Sequence, residues 1–239
     1  MTAFLSPYPI PDLLFTFYLL IYSPLSSIWR SRHPRPKLDL PPLRSYWRQG
    51  RHVLVLLCVF TLVKWFGGYS LVQLGLGIPV SSGALGGLAT VVLLLALMHL
   101  LGNRMDRKRT PEERIKQEEK LRDLPFPMPR TSTETLAYLV TTVVMTFTWE
   151  LLYRGYLLLI LTPVTGLPLA VALAAVAYGA SHGYKSAKQF IGSIVAAFAF
   201  TIGYASTGNL WWLIVLHAAV PVAMMYAARK IAPRESAAA

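Results

Sequence analysis

Acidic side chains are scarce in this chain. Eleven Asp and Glu stand against 23 Lys and Arg in 239 residues, and charged residues of both signs make up only 14%. A soluble globular domain carries about a quarter charged residues, so that class is excluded. With 54% hydrophobic residues, the chain reads instead as one polytopic membrane domain in a lipid bilayer. There is a single cysteine, Cys58, within an apolar stretch. No internal disulfide can form, and cysteine usage says nothing about redox compartment. No internal repeat is evident, which argues against a transporter built from inverted halves. The first apolar segment has neither a basic leader nor a small-residue cleavage site, so a span is expected there and not a signal peptide. No aromatic-basic surface motif accompanies the net charge of +12, and nucleic acid is not an expected partner.

What the chain does have is long apolar runs and clustered positive charge. The runs predict seven spans, roughly 9–29, 52–78, 83–103, 133–162, 166–182, 187–207 and 210–231. The fold class is therefore all-α. Seven basic residues fall between Arg30 and Arg51, nine between Arg104 and Arg130, and three between Arg229 and Arg234. Placing 30–51 in the cytoplasm puts all three clusters, and Lys185 with Lys188, on that side after every second crossing. Seven helices with the N-terminus out and the C-terminus in satisfy the positive-inside rule. The chain divides into a three-span region with basic loops, 1–123, and a four-span core, 124–239, expected to form one integral domain. The mixed-charge stretch 104–132 is expected to be a solvated or amphipathic cytoplasmic helix. Lys64, in the second span, either snorkels or lines a cavity.

Within this apolar background one carboxylate stands out. Glu150 lies in the run Thr146-Phe147-Thr148-Trp149-Glu150-Leu151-Leu152-Tyr153-Arg154-Gly155. An ionisable residue at bilayer depth is costly and marks a functional site by default. Arg154 follows four residues later and shares its helix face, so the two can pair. His182 and His217 are the histidines deep in the later apolar segments. Counted from the outer helix ends, Glu150, His182 and His217 lie about 18, 24 and 12 Å deep, a spread that helix tilt absorbs. An acid and two imidazoles converging near mid-membrane are the parts of a water-activating site. Each alone has a plainer explanation: a Glu-Arg pair can lock helices, and a lone intramembrane histidine is usually a helix-helix hydrogen bond. His99 has only that explanation. Tyr178 and His182 are i, i+4 neighbours, as are His217 and Pro221, a spacing that packing alone produces.

The order of these groups carries a resemblance. Glu150-x-x-x-Arg154-Gly155, then Tyr178-x-x-x-His182, then Gly208-Asn209-Leu210-Trp211 followed by His217 resembles the CPBP family of CAAX prenyl endopeptidases and bacteriocin-processing proteins. Leu124-Pro125, Pro129-Arg130-Thr131 and Glu134 resemble the family's approach to its first motif. The similarity covers about 124–222. It implies an intramembrane endopeptidase whose site opens to the cytoplasm. A glutamate and a histidine would activate water; a second histidine and an asparagine would stabilise the oxyanion. Catalytic Glu150, His182 and His217, supported by Arg154, Tyr178 and Asn209, are the expected site. A membrane-associated or lipidated peptide or protein is the expected substrate, and the bacterial cell (inner) membrane the expected location.

Two positions depart from the family pattern. The first motif normally opens with two adjacent glutamates, the first being the usual base; here that position is Trp149. Adjacent helix residues point about 100° apart, so Glu150 does not automatically replace the lost group. The third motif normally has Asn or Asp four residues after its histidine; here it is Pro221, with no donor in side chain or backbone. Tyr178 in place of Phe is a mild change. The resemblance also admits a metal-dependent route, and two His with one Glu would satisfy a catalytic zinc. Hydrolysis would then need a second base, and the last four spans hold no other carboxylate at depth, so no cofactor and no metal is expected. The competing expectation is a pseudoprotease that binds membrane peptides or proteins without cutting them.

Overall fold

A computed structural model describes residues 8–34, 40–78, 81–122 and 127–231. The expected lead-in residues Leu124, Pro125 and the basic Arg234 lie outside the described residues. Among those described there are helices and turns but no strand. Eight helices follow in order: α1 (Ile10–Arg32), α2 (Pro42–Gly67), α3 (Ser82–Lys108), α4 (Pro111–Arg122), α5 (Ser132–Thr165), α6 (Leu167–Ser181), α7 (Ala187–Thr207) and α8 (Trp211–Ile231). Six of these, α1, α2, α3, α5, α7 and α8, are long and apolar enough to cross a membrane. With the shorter apolar α6 they account for the seven expected spans.

The surface is apolar where a soluble protein's would be polar. On α3, Leu85, Val92, Leu93, Leu97 and Leu100 are exposed. A bilayer supplies the missing neighbours, and the protein is an integral membrane protein. The inside is held by close approach. Gly179 of α6 lies so near α7 that a Cβ would stand 2.9 Å from the Ile194 Cα, the small-residue contact that lets membrane helices meet through their backbones. Helix starts follow local rules. Thr131 and Glu134 form a reciprocal capping box at the start of α5, at 3.2 and 3.1 Å. Ser81 and Ser186 cap α3 and α7. Thr110 and Glu113 make the same kind of exchange at α4, the solvated helix expected within 104–132. Lys64 sits in the last turn of α2, where a cation suits the helix dipole.

Three features of the helices build an interior site. First, α6 has 15 residues, about 22 Å against a ~30 Å hydrocarbon core. Its chain turns back at His182 through Gly183, at φ 76°. A side chain at 183 would collide with Ser31 of α1. His182 caps the helix and is not inside it, as the span 166–182 had suggested. Second, α5 widens into a π-turn over Leu151–Tyr156, immediately after Glu150. Such turns add a residue to the helix and are frequent at functional sites. Third, α1 has its own π-turn at Tyr18–Tyr22, and the two turns meet. The Tyr153 hydroxyl donates to the Leu19 carbonyl at 3.1 Å and lies 2.8 Å from the Ser181 Oγ, which is 3.2 Å from the Ser23 Oγ. This buried hydroxyl cluster ties α1, α5 and α6 together.

The first turns of α1 are held to α5 by a different lock. Asp12, in the first turn of α1, is fully buried. The Tyr156 hydroxyl donates to its Oδ1 at 2.9 Å and lies 3.4 Å from the Thr16 Oγ1. Burial, and next the Asp12 carboxylate, push the ionisation of the nearby Tyr69 phenol above its ordinary range. The connection after α2 folds over this end. Gly155 has no Cβ, and one there would stand 2.6 Å from the Leu74 carbonyl, so glycine is what lets this connection seat on the π-turn.

Candidate active site

A cavity of about 680 Å³ opens among α1, α2, α5, α6 and α8. Its walls include Ser23 and Arg30 of α1, His52 of α2, Thr142 and Trp149 of α5, Tyr178 of α6, His182, and His217 with Pro221 of α8. These residues come from the last half of α1, the first half of α2, the first half and middle of α5, the end of α6 and the middle of α8. The parts from α1, α2, α5 and α6 lie toward the helix ends that adjoin the basic loops. The cavity thus opens toward the face that the positive-inside rule assigns to the cytoplasm.

Glu150 lies one layer behind this wall and is fully buried. The His217 Nδ1–H donates to its Oε1 at 2.7 Å. Arg154 reaches the same oxygen from the π-turn at 3.4 Å. The guanidinium stacks 3.9 Å from the centre of the Tyr178 ring, a cation–π contact in a dry setting. Arg154 supplies the counter-charge to Glu150. The Tyr178 hydroxyl lies 3.5 Å from the His217 Nδ1, and the two rings meet edge to face at 6.2 Å.

The second imidazole is held in the same way. The His182 Nδ1 lies 3.0 Å from the Tyr178 carbonyl, an acceptor only, so Nδ1 carries the hydrogen. The same logic fixes His217, because a carboxylate accepts. Both rings therefore keep the free lone pair on Nε2. Tyr178 stands between them, its ring 4.7 Å from that of His182. The structure brings Glu150, Arg154, Tyr178 and His217 into one contact set, and joins His182 to it through Tyr178.

Asn209 is elsewhere. Its amide donates to the Gly77 carbonyl at 3.0 Å and accepts from the Trp211 N–H at 3.1 Å. It starts α8 and fastens the connection after α2, and it is absent from the cavity wall. Trp149, at the place of the usual base, is on the wall. So is Pro221, whose missing N–H leaves the His217 carbonyl without its i+4 donor.

A catalytic zinc would need Glu150 and both imidazoles to converge on one point. Glu150 commits Oε1 to His217 and Arg154, behind the wall. Among the described residues, no three His, Cys, Asp or Glu side chains are grouped to hold a metal ion.

Sequence reasoning missed the α1 contribution. Ser23, Tyr153 and Ser181 form one network beside His182. Their only sequence signal is hydroxyls in apolar runs, which membrane helices carry for many reasons. Asp12 was also missed, because an acid directly after Pro9, Ile10 and Pro11 reads as an ordinary helix start.

Residues 131–223 match the family described as "Type II CAAX prenyl endopeptidase Rce1-like". The match begins at the capping box of α5 and ends just beyond Pro221, and it shows the resemblance read from the motifs. No curated protein and no solved structure matches the chain.

Proposed function

We propose that the protein is an intramembrane endopeptidase of the CAAX type, acting on a peptide bond of a membrane-associated substrate at the wall formed by His217 and His182. The observation that carries this reading is the 2.7 Å contact between the His217 Nδ1 and the buried Glu150. A carboxylate that fixes the tautomer of an imidazole and stabilises its protonated form is how an acid–histidine pair makes a general base. Glu150 acts through His217, since it does not reach the cavity itself. His217 Nε2 takes a proton from water as the oxygen attacks the carbonyl carbon. The C–N bond then breaks as the His217 imidazolium gives that proton to the leaving amine, while the His182 Nε2 lone pair accepts a hydrogen bond from the attacking water and orients it. The burial of the pair supports this division of labour, and the family match supports the reaction class. That the substrate is lipidated, and that the membrane is a bacterial cell (inner) membrane, rests on the family resemblance alone.

Trp149 favours a second reading. It fills part of the cavity wall where the family has its usual base, as expected of a protein that binds membrane peptides without cutting them. A reconstituted peptide-cleavage assay separates the two. The peptidase reading expects turnover by the unmodified chain and a loss of about 10²–10⁴-fold in Glu150→Gln. The binding reading expects the unmodified chain to match Glu150→Gln, with cleavage appearing only in Trp149→Glu. Turnover that survives Glu150→Gln would sink the site itself.

A further inference from the structure

Among the described residues, the cavity wall holds one arginine, three histidines and no carboxylate. Glu150 is behind the wall and paired with Arg154. With the imidazoles neutral, the arginine supplies the fixed charge of this wall, and a cation with no acid beside it favours an anion. The arginine is Arg30, at the end of α1. Its guanidinium donates to the Ser27 Oγ at 3.2 Å, and among the described residues no carboxylate pairs with it. Across the cavity from α2 stands His52. Arg30 follows Ser23 by seven residues, about 10 Å along the helix, and Ser23 touches Ser181, the neighbour of His182. The arginine is therefore within a short peptide's length of the two imidazoles, on the side facing the cytoplasm.

We infer that Arg30 is a specificity-determining residue that binds a carboxylate of the peptide occupying this cavity. Ser27 holds the guanidinium in place, and its remaining N–H groups offer the forked pair that a carboxylate accepts. The carboxylate has two possible sources, a C-terminus or an acidic side chain. The inference rests on the cavity being peptide-binding, but it does not require cleavage.

The test is binding by the full chain in nanodiscs of phosphatidylcholine, which carry no net charge. The probes are three fluorescein-labelled apolar octapeptides: one with a free C-terminal acid, its C-terminal amide, and the amide with one internal Asp. At least one acidic probe should bind about 10-fold more tightly than the neutral amide, the size expected for hydrogen bonds to a charged partner. Which one does so identifies the source. Arg30→Gln should bring that probe down to the affinity of the amide, and Arg30→Lys should retain part of the preference. Equal affinity of the unmodified chain for all three probes would overturn the inference even if Arg30→Gln failed to fold. So would a preference that survives in Arg30→Gln. If Arg30→Gln instead changes only the binding of phosphatidylglycerol vesicles, Arg30 is a lipid contact and the inference is wrong. Because no arm reads turnover, a chain that fails to cleave leaves this result standing.

Discussion

Among the described residues two carboxylates are fully buried in this membrane bundle, and only one of them is at a site. Asp12 and Glu150 are both 0% exposed. Each bonds to a residue of the α5 π-turn: Asp12 to Tyr156, Glu150 to Arg154. Asp12 meets phenol and hydroxyl groups at the outer end of the bundle. Tyrosine does not exchange protons near neutral pH, so this acid locks α1 to α5 and does no more. Glu150 meets an imidazole that reaches a cavity. Burial of an acid marks a costly position. A titratable relay from that acid to a space where substrate fits is what makes the position chemical.

The comparison can be broken from either side. Pro221→Asn should sharpen it most. It returns the donor missing from the cavity and should raise cleavage by about 10²-fold, the usual weight of one oxyanion donor. No gain would mean that position 221 does not face the reacting carbonyl. Arg154→Met comes next. It leaves Glu150 buried without its cation and should cost about 3–5 kcal/mol of stability, read as a lowered midpoint of unfolding in mild detergent. A variant as stable as the unmodified chain would show that the pair is not the counter-charge. Asp12→Asn keeps an acceptor for Tyr156. It should cost about 1 kcal/mol and leave the cleavage rate unaltered; a large loss of rate would erase the distinction between the two acids. The smallest effect is one of access. With Cys58 replaced, Ser70→Cys near the Asp12 end should label with an impermeant thiol reagent in intact cells, while Lys116→Cys on the basic face should stay protected. The reverse pattern would turn the bundle over.

Much of this arrangement was legible in the sequence. The hydropathy runs located six helices long and apolar enough to cross and the shorter α6, because a bilayer imposes length and composition directly. The second was displaced: 52–78 was expected, but the basic first turns extend the helix back to Pro42 and Gly68, in the left-handed conformation, ends it at Gly67. Glu150, His182 and His217 were visible because charge and imidazole at depth are rare. Their division of roles was not visible. Sequence spacing places Glu150 beside Arg154, but cannot show that the next layer toward the cavity is His217 of a helix 67 residues on. Asn209 lies within a recognisable motif, yet its amide is used to start α8 and hold a connection. The α1 wall escaped notice because the family resemblance starts at α5, while Leu19 and Ser23 contact Tyr153 by backbone and hydroxyl groups that leave no pattern. The π-turns were equally hidden. The hydrogen bonds that define them depend on tertiary partners, not on local propensity.

The central claim is that Glu150 and His217 act as one unit, and a double-variant cycle of kcat tests it most directly. The four proteins are the unmodified chain, Glu150→Gln, His217→Ala and the two combined, assayed on one peptide in one lipid. Residues that act as a unit are strongly non-additive. The predicted result is a loss of about 10²–10⁴-fold in each single variant, with the double variant no slower than His217→Ala. Losses that multiply in the double variant would contradict the account, since Glu150 would then contribute by a route that does not pass through His217.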